Sequence, residues 1–213
     1  MKSVLLIACL LVGTSVAEKP PKTMTKVEVI LQSPDAPAGS FAAKPKVMYR
    51  AGNRFCRIEE APDPDRGVHG LMIVNEPDYW MVNLLARTAR HGLDPGPTFN
   101  CHLPIFADES LDEEGKQIRQ LEFGLELEFF KSKGATPETG PVLQTKETMV
   151  YRTKAGSAAL ALFTYGTPEH PLAVARQRGE KNDLFWYSGY GQVEFDPKLF
   201  AKPENVKVED SKP

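Results

Sequence analysis

The chain of 213 residues is 41% hydrophobic and 25% charged, enough apolar content to bury one sizeable core, and a single domain is expected at this length. Its 26 Lys and Arg against 28 Asp and Glu give a net charge of −2, which excludes a polybasic nucleic-acid binder and an acidic disordered tail protein. Enzyme, carrier and scaffold remain open.

The N-terminus reads as a leader. Lys2, the apolar run from Val4 to Val12 and the small-x-small Ser15-Val16-Ala17 before Glu18 follow the order of a secretory signal peptide, so residues 1–17 are expected to be removed. The apolar run is about half of the ~20 residues that span a bilayer, and no later segment spans either. Leu6-Ile7-Ala8-Cys9 imitates a bacterial lipobox, but Cys9 falls inside the apolar run instead of closing it. Removal of Cys9 leaves Cys56 and Cys101, an even count in an oxidising compartment. One disulfide closing about 46 residues would contribute about 3 to 4 kcal/mol; two buried thiols are the alternative at this point.

Residues 18–23, rich in Pro and Lys, read as a disordered linker, 24–206 as one β-rich domain and 207–213 as a loose tail. TKVEVILQ alternates apolar Val27, Val29 and Leu31 and predicts a strand, followed by a Pro-bearing loop. KVMYR and RFCRIEE flank the turn Ala51 to Asn53 and predict a hairpin. GLMIVN is a short buried strand, and EPD turns the chain into YWMVNLLART, read as one further strand. HGLDPGPTFNCHLPIF, with three Pro and two Gly, reads as a long loop or crossover.

Ser110-Leu111-Asp112-Glu113 fits a capping box and predicts a helix over about 111–119, the one helix of the reading. LEFGLELEFF then places Leu121, Phe123, Leu125, Leu127 and Phe129 at a period of two against Glu122, Glu126 and Glu128, which predicts a strand with its glutamates in water. ETMVYRTK and AALALFTY flank the turn Ala155 to Ser157 as another hairpin. LAVARQRG and NDLFWYSGYGQVEFD supply the last strands before DPKLFAKP closes the fold. Some nine short strands with one helix imply a mainly β or α+β fold, a strongly curved antiparallel sheet or unclosed barrel with a short helix as lid.

No nucleophile elbow, phosphate loop, H-E-x-x-H or C-x-x-C is present, so no catalytic residue, metal ligand or cofactor is assigned. His91, Asp94 and His102, with Cys101 between them, carry zinc-ligand chemistry within one loop and support the alternative of a secreted metal-dependent hydrolase, although their spacing matches no usual ligand pattern. His69 and His170 have no spacing partner. Trp80, Trp186, Tyr187 and Tyr190 suit either a ligand site or core packing. The apolar faces of LEFGLELEFF, YWMVNLL and AALALF exceed what one short helix covers, so the sheet closes on itself or holds an apolar guest.

The paired strands with Arg57-Ile58-Glu59-Glu60, the GLMIVN strand, Trp80-Met81-Val82-Asn83-Leu84 and the closing run Asp196 to Val206 resemble the Lol-type outer-membrane lipoprotein carrier and lipoprotein-sorting superfamily, over roughly 23–206. The resemblance implies an unclosed antiparallel barrel with helices as lid over an apolar cavity, a periplasmic location, no catalysis and binding of acyl chains. It also implies an inward arginine, for which Arg50, Arg54 and Arg57 are candidates. Lining residues are expected at Trp80, Val82, Leu84, Phe123, Leu125, Leu127 and Phe129, with Arg57 at a head group; the face at Trp80 is open by one residue, since Tyr79, Met81 and Leu85 are apolar too. The expected partner is an apolar small molecule or acyl chain, with peripheral envelope contact and without nucleic acid. A structural envelope protein without ligand is the remaining alternative.

Overall fold

The computed structural model describes residues 20–33, 43–93, 101–106 and 112–210. Six strands come first: β1 (Thr23–Gln32), β2 (Lys46–Ala51), β3 (Phe55–Glu60), β4 (Gly70–Asn75), β5 (Asp78–Asn83) and β6 (Thr88–Leu93). Two helices, α1 (Glu113–Arg119) and α2 (Glu126–Ser132), lead to β7 (Glu138–Thr139), β8 (Met149–Ala155), β9 (Ala158–Tyr165), β10 (His170–Arg178), β11 (Lys181–Glu194) and β12 (Lys207–Asp210). Together the strands form one unclosed, curved sheet in the order β12-β6-β5-β4-β3-β2-β1-β11-β10-β9-β8-β7. Each half is a meander, and the halves join where β1 pairs antiparallel with β11 from Thr23↔Glu194 to Gln32↔Leu184. The chain between β6 and β7 therefore has to travel from one side of the sheet to its opposite edge, and its described segments pack on one face, here called the inner face.

Register assigns the faces, because side chains alternate along a strand and opposed residues share a side. Val27, Met48, Ile58 and Met72 form one row across β1 to β4. Val27, Val29, Met48, Cys56 and Val74 pack under Ile118 of α1, Phe129 and Phe130 of α2, and Cys101, Leu103, Ile105 and Phe106 of the crossing chain. Tyr151, Leu160, Leu162, Val174, Phe185 and Tyr187 continue that core across the second half. On the outer face Leu71, Ile73, Trp80, Val82 and Ala89 form a second cluster under Val206 and Val208, and Met24, Ala51 and Phe200 form a third, closed by a 3-10 turn over Pro197–Phe200.

The mainly β, open-sheet expectation holds, and several element assignments change. YWMVNLLART is a hairpin: Asn83 Oδ1 accepts from the N–H of Leu85 and Ala86, and Arg87 takes the left-handed conformation (φ 53°), so side-chain hydrogen bonding turns an apolar run that periodicity reads as continuous. β6 then extends into the expected loop, where Gly92 lets the ring of Tyr79 lie on its backbone; a Cβ there would collide with that ring. Asp112 caps α1, its Oδ1 accepting from Gly115 N–H at 2.8 Å, while Ser110 lies outside the described residues.

LEFGLELEFF is the largest correction. Gly124 turns the chain at φ 84°, and α2 begins two residues later, so the residues from Glu126 on follow the helix propensity of Leu and Glu. The expected wet glutamates are buried at two of three places, Glu122 and Glu126. The tail is also partly structured, because Lys207–Asp210 adds to the sheet as β12, parallel to β6.

Candidate functional site

The inner face is covered unevenly. Over β1, β2 and β8 to β11 the crossing chain and both helices fill it. Over β3 to β6 a cavity of about 710 Å³ remains, floored by Ile58, Met72, Met81 and Arg90 and walled by His102, Leu103 and Pro104. Met81, 52% exposed, points an apolar side chain into this space. That volume lies in the range of small-molecule sites, and flexible Met side chains adapt to guests of varied shape.

Beside the cavity the crossing chain is fixed to the sheet by buried polar groups. Arg50 on β2 shares the inner face with Met48, and its Nη1 donates to Glu122 Oε2 at 2.6 Å. Its Nη2 donates to the Cys101 carbonyl at 2.9 Å, with longer bonds to the carbonyls of Phe123 and Gly52. The other carboxylate oxygen of Glu122 faces His102 Nδ1 at 2.8 Å. Cys101 is itself joined to Cys56 of β3, with the Cα atoms 6.1 Å apart, a separation a disulfide accommodates.

A second anchor holds α2. Glu126 is fully buried, and Tyr187 Oη and Tyr190 Oη of β11 donate to its two oxygens at 2.7 and 3.1 Å, with Gly124 N–H at 3.0 Å. Burial pushes the Glu126 carboxyl above its ordinary range, against the opposing effect of these donors. Both tyrosines are raised as well, by burial and then by the Glu126 charge.

No family model and no curated protein matches the chain. Among solved structures it is similar to an uncharacterised conserved protein from Thermus thermophilus, at 12% identity and a TM-score of 0.50 over 89% of this chain and 91% of that one. A LolA superfamily protein from Nitrosomonas europaea aligns at 10% identity and a TM-score of 0.35, over 86% of this chain and 91% of its own. The first likeness is one of fold alone.

The expected lining residues do not converge on one surface. Phe123 and Phe129 lie in the inner core, with Leu127 packed against it and Leu125 half-buried at the start of α2. Trp80 and Val82 lie in the outer cluster with Leu84 against it, so the open choice at Trp80 falls the other way and Met81 faces inward. Arg57 is also on the outer face, paired with Glu59 at 2.7 Å and donating to the Leu199 carbonyl. Of the three candidate arginines it is Arg50 that faces inward. A basic residue continuing the stripe of Met48 was the sequence signal for it; nothing local to Glu122 or Glu126 announced partners 72 and 61 residues away.

The histidine loop does not assemble either. His91 stacks on Trp80 at 5.3 Å and meets Asp78 at 2.7 Å on the outer face, whereas His102 binds Glu122 on the inner side. Asp94 lies outside the described residues, and among those described no group of three His, Cys, Asp or Glu has a metal-binding arrangement. No helix among them is long and apolar enough to cross a membrane.

Proposed function

We propose that the protein is a secreted or periplasmic binding protein that takes an apolar, acyl-chain-like ligand on the inner face of its curved sheet, between β3 to β6 and the segment 102–104. The observation that carries this reading is the cavity floored by Ile58, Met72 and Met81, where apolar side chains face open space although the rest of the inner face is filled. Each CH2 moved from water into such a space gains about 0.8 kcal/mol, so a chain of several carbons binds without covalent chemistry. The signal-peptide pattern at 1–17 and the Cys56–Cys101 pair support an oxidising envelope compartment.

Native mass spectrometry of the mature protein, followed by denaturing extraction, tests the proposal. An apolar molecule of defined mass is expected to co-purify and to be lost in Met81→Glu, which places a charge in the cavity while leaving the core intact. A clean unliganded mass, with no uptake of a fluorescent fatty acid by the wild-type chain, would refute it.

A further inference from the structure

Glu126 is the one acidic side chain among the described residues that is completely withdrawn from solvent, and no cationic group bonds to its carboxylate. It sits at the first residue of α2, one of the two helices that cover the inner face, and its partners come from the central strand β11. Burying an ionised carboxylate with hydrogen-bond donors but no counter-charge is costly, and the group relieves that cost by holding its proton.

We propose that the docking of α2 on the sheet is proton-linked through Glu126, so that the helix is held in place by the protonated carboxyl group and loosened when the proton leaves. Protonated, the group can donate to one tyrosine oxygen and accept from the other hydroxyl and from Gly124 N–H; ionised, it is an anion sealed between two aromatic rings. The raised carboxyl range is consistent with that geometry. The sign follows from linkage: a carboxyl that binds its proton more tightly when docked stabilises docking in full below its ordinary pKa. That contribution then declines as pH rises and is gone above the raised value.

Its two tyrosine partners lie outside that window. Tyr187 and Tyr190 of β11 are pushed above the ordinary tyrosine range and stay neutral through it. The charge of Arg50 on β2 acts on Tyr190, and Glu128 on α2 itself is exposed to water. His170 of β10 is the imidazole beside the pair, with its ring 6.4 Å from that of Tyr190. The inference concerns the helix alone and stands whether or not the cavity takes a ligand.

Hydrogen exchange of the α2 amides in the ligand-free mature protein, corrected for intrinsic rates and followed from about pH 4 to pH 8, tests it. One linked proton limits the change to tenfold in protection per pH unit. Protection of residues 126–133 is expected to fall from about the ordinary Glu pKa of 4.3 up to the raised value and then level off. Glu126→Gln, which keeps an acceptor and a donor in place and retains His170, is expected to give a flat profile. Tyr190→Phe removes a donor to the ionised form, so it is expected to move the end of the fall to higher pH; it decides the matter if Glu126→Gln does not fold. A flat wild-type profile, an unchanged slope in Glu126→Gln, an unmoved window in Tyr190→Phe, or an equal fall in the β9 amides would each overturn the proposal.

Discussion

Removing Arg50 isolates the anchor between the sheet and the crossing chain. Arg50→Met deletes four hydrogen bonds, to Glu122, Phe123, Cys101 and Gly52, and leaves the Glu122 carboxylate buried without its cation. Side chains of both partners are less than a tenth exposed, so water does not replace the guanidinium, although Glu122 keeps its bonds to His102 Nδ1 and Leu103 N–H. Breaking one side of a buried pair costs about 3 to 5 kcal/mol, whereas replacing both partners by apolar groups of similar volume is close to neutral. At about 2 to 4 °C per kcal/mol for a domain of this size, Arg50→Met is expected to lower the Tm by roughly 6 to 20 °C. The double variant Arg50→Met/Glu122→Leu is expected to recover most of that loss. Calorimetry on the two variants and the wild type is the assay. A double variant no more stable than the single one would show that the cost lies in lost packing or lost carbonyl bonds, and the uncompensated-charge argument would fail.

Three further outcomes are expected. Lys46, whose amine burial pushes down to about 8, favours the neutral form when folded. Its contribution to stability therefore rises with pH from about 8 toward the ordinary lysine value near 10.4, and the difference in urea midpoint between wild type and Lys46→Met should shift by that sign between pH 8 and 9.5. Intact mass after alkylation without reductant should show neither Cys56 nor Cys101 alkylated, and Cys56→Ser/Cys101→Ser should lose about 3 to 4 kcal/mol in denaturant titration; two alkylated cysteines would remove the bond. Trp80→Ala should cost about 3 to 5 kcal/mol because it empties the outer cluster, while leaving fatty-acid uptake at the inner face unchanged; uptake lost in step with Trp80 would move the site to the outer face.

Elements whose cause is local were readable in the chain. GLMIVN and AALALFTY coincide with β4 and β9, because a short apolar run bounded by Gly- or Pro-bearing turns fixes a strand within its own residues. The hairpin at Asn83 was hidden because its turn is made by an Asx side chain amid leucines. The 121–130 segment failed for a different reason. Its alternation is genuine, but it describes a chain whose glutamates are satisfied by Arg50, Tyr187 and Tyr190, and contacts so far along the sequence leave no local trace. Too much apolar face for one helix left two outcomes open, a sheet closed on itself or one holding a guest; the expected lining did not converge because Trp80 and Met81 sit one residue apart on opposite sides of the sheet.

The pairing of β1 with β11 places the beginning and the end of the domain side by side in the middle of the sheet. Gln32 meets Trp186 across 154 residues of chain, and Thr25 meets Gln192 across 167. A ribosome or a translocation pore that delivers the polypeptide from its N-terminus therefore releases β1 with one edge bare until almost the last strand has emerged. Contacts of such sequence separation make for slow folding, and the unpaired strand is a template for wrong partners while it waits. The middle of the sheet is thus closed only when β11 arrives.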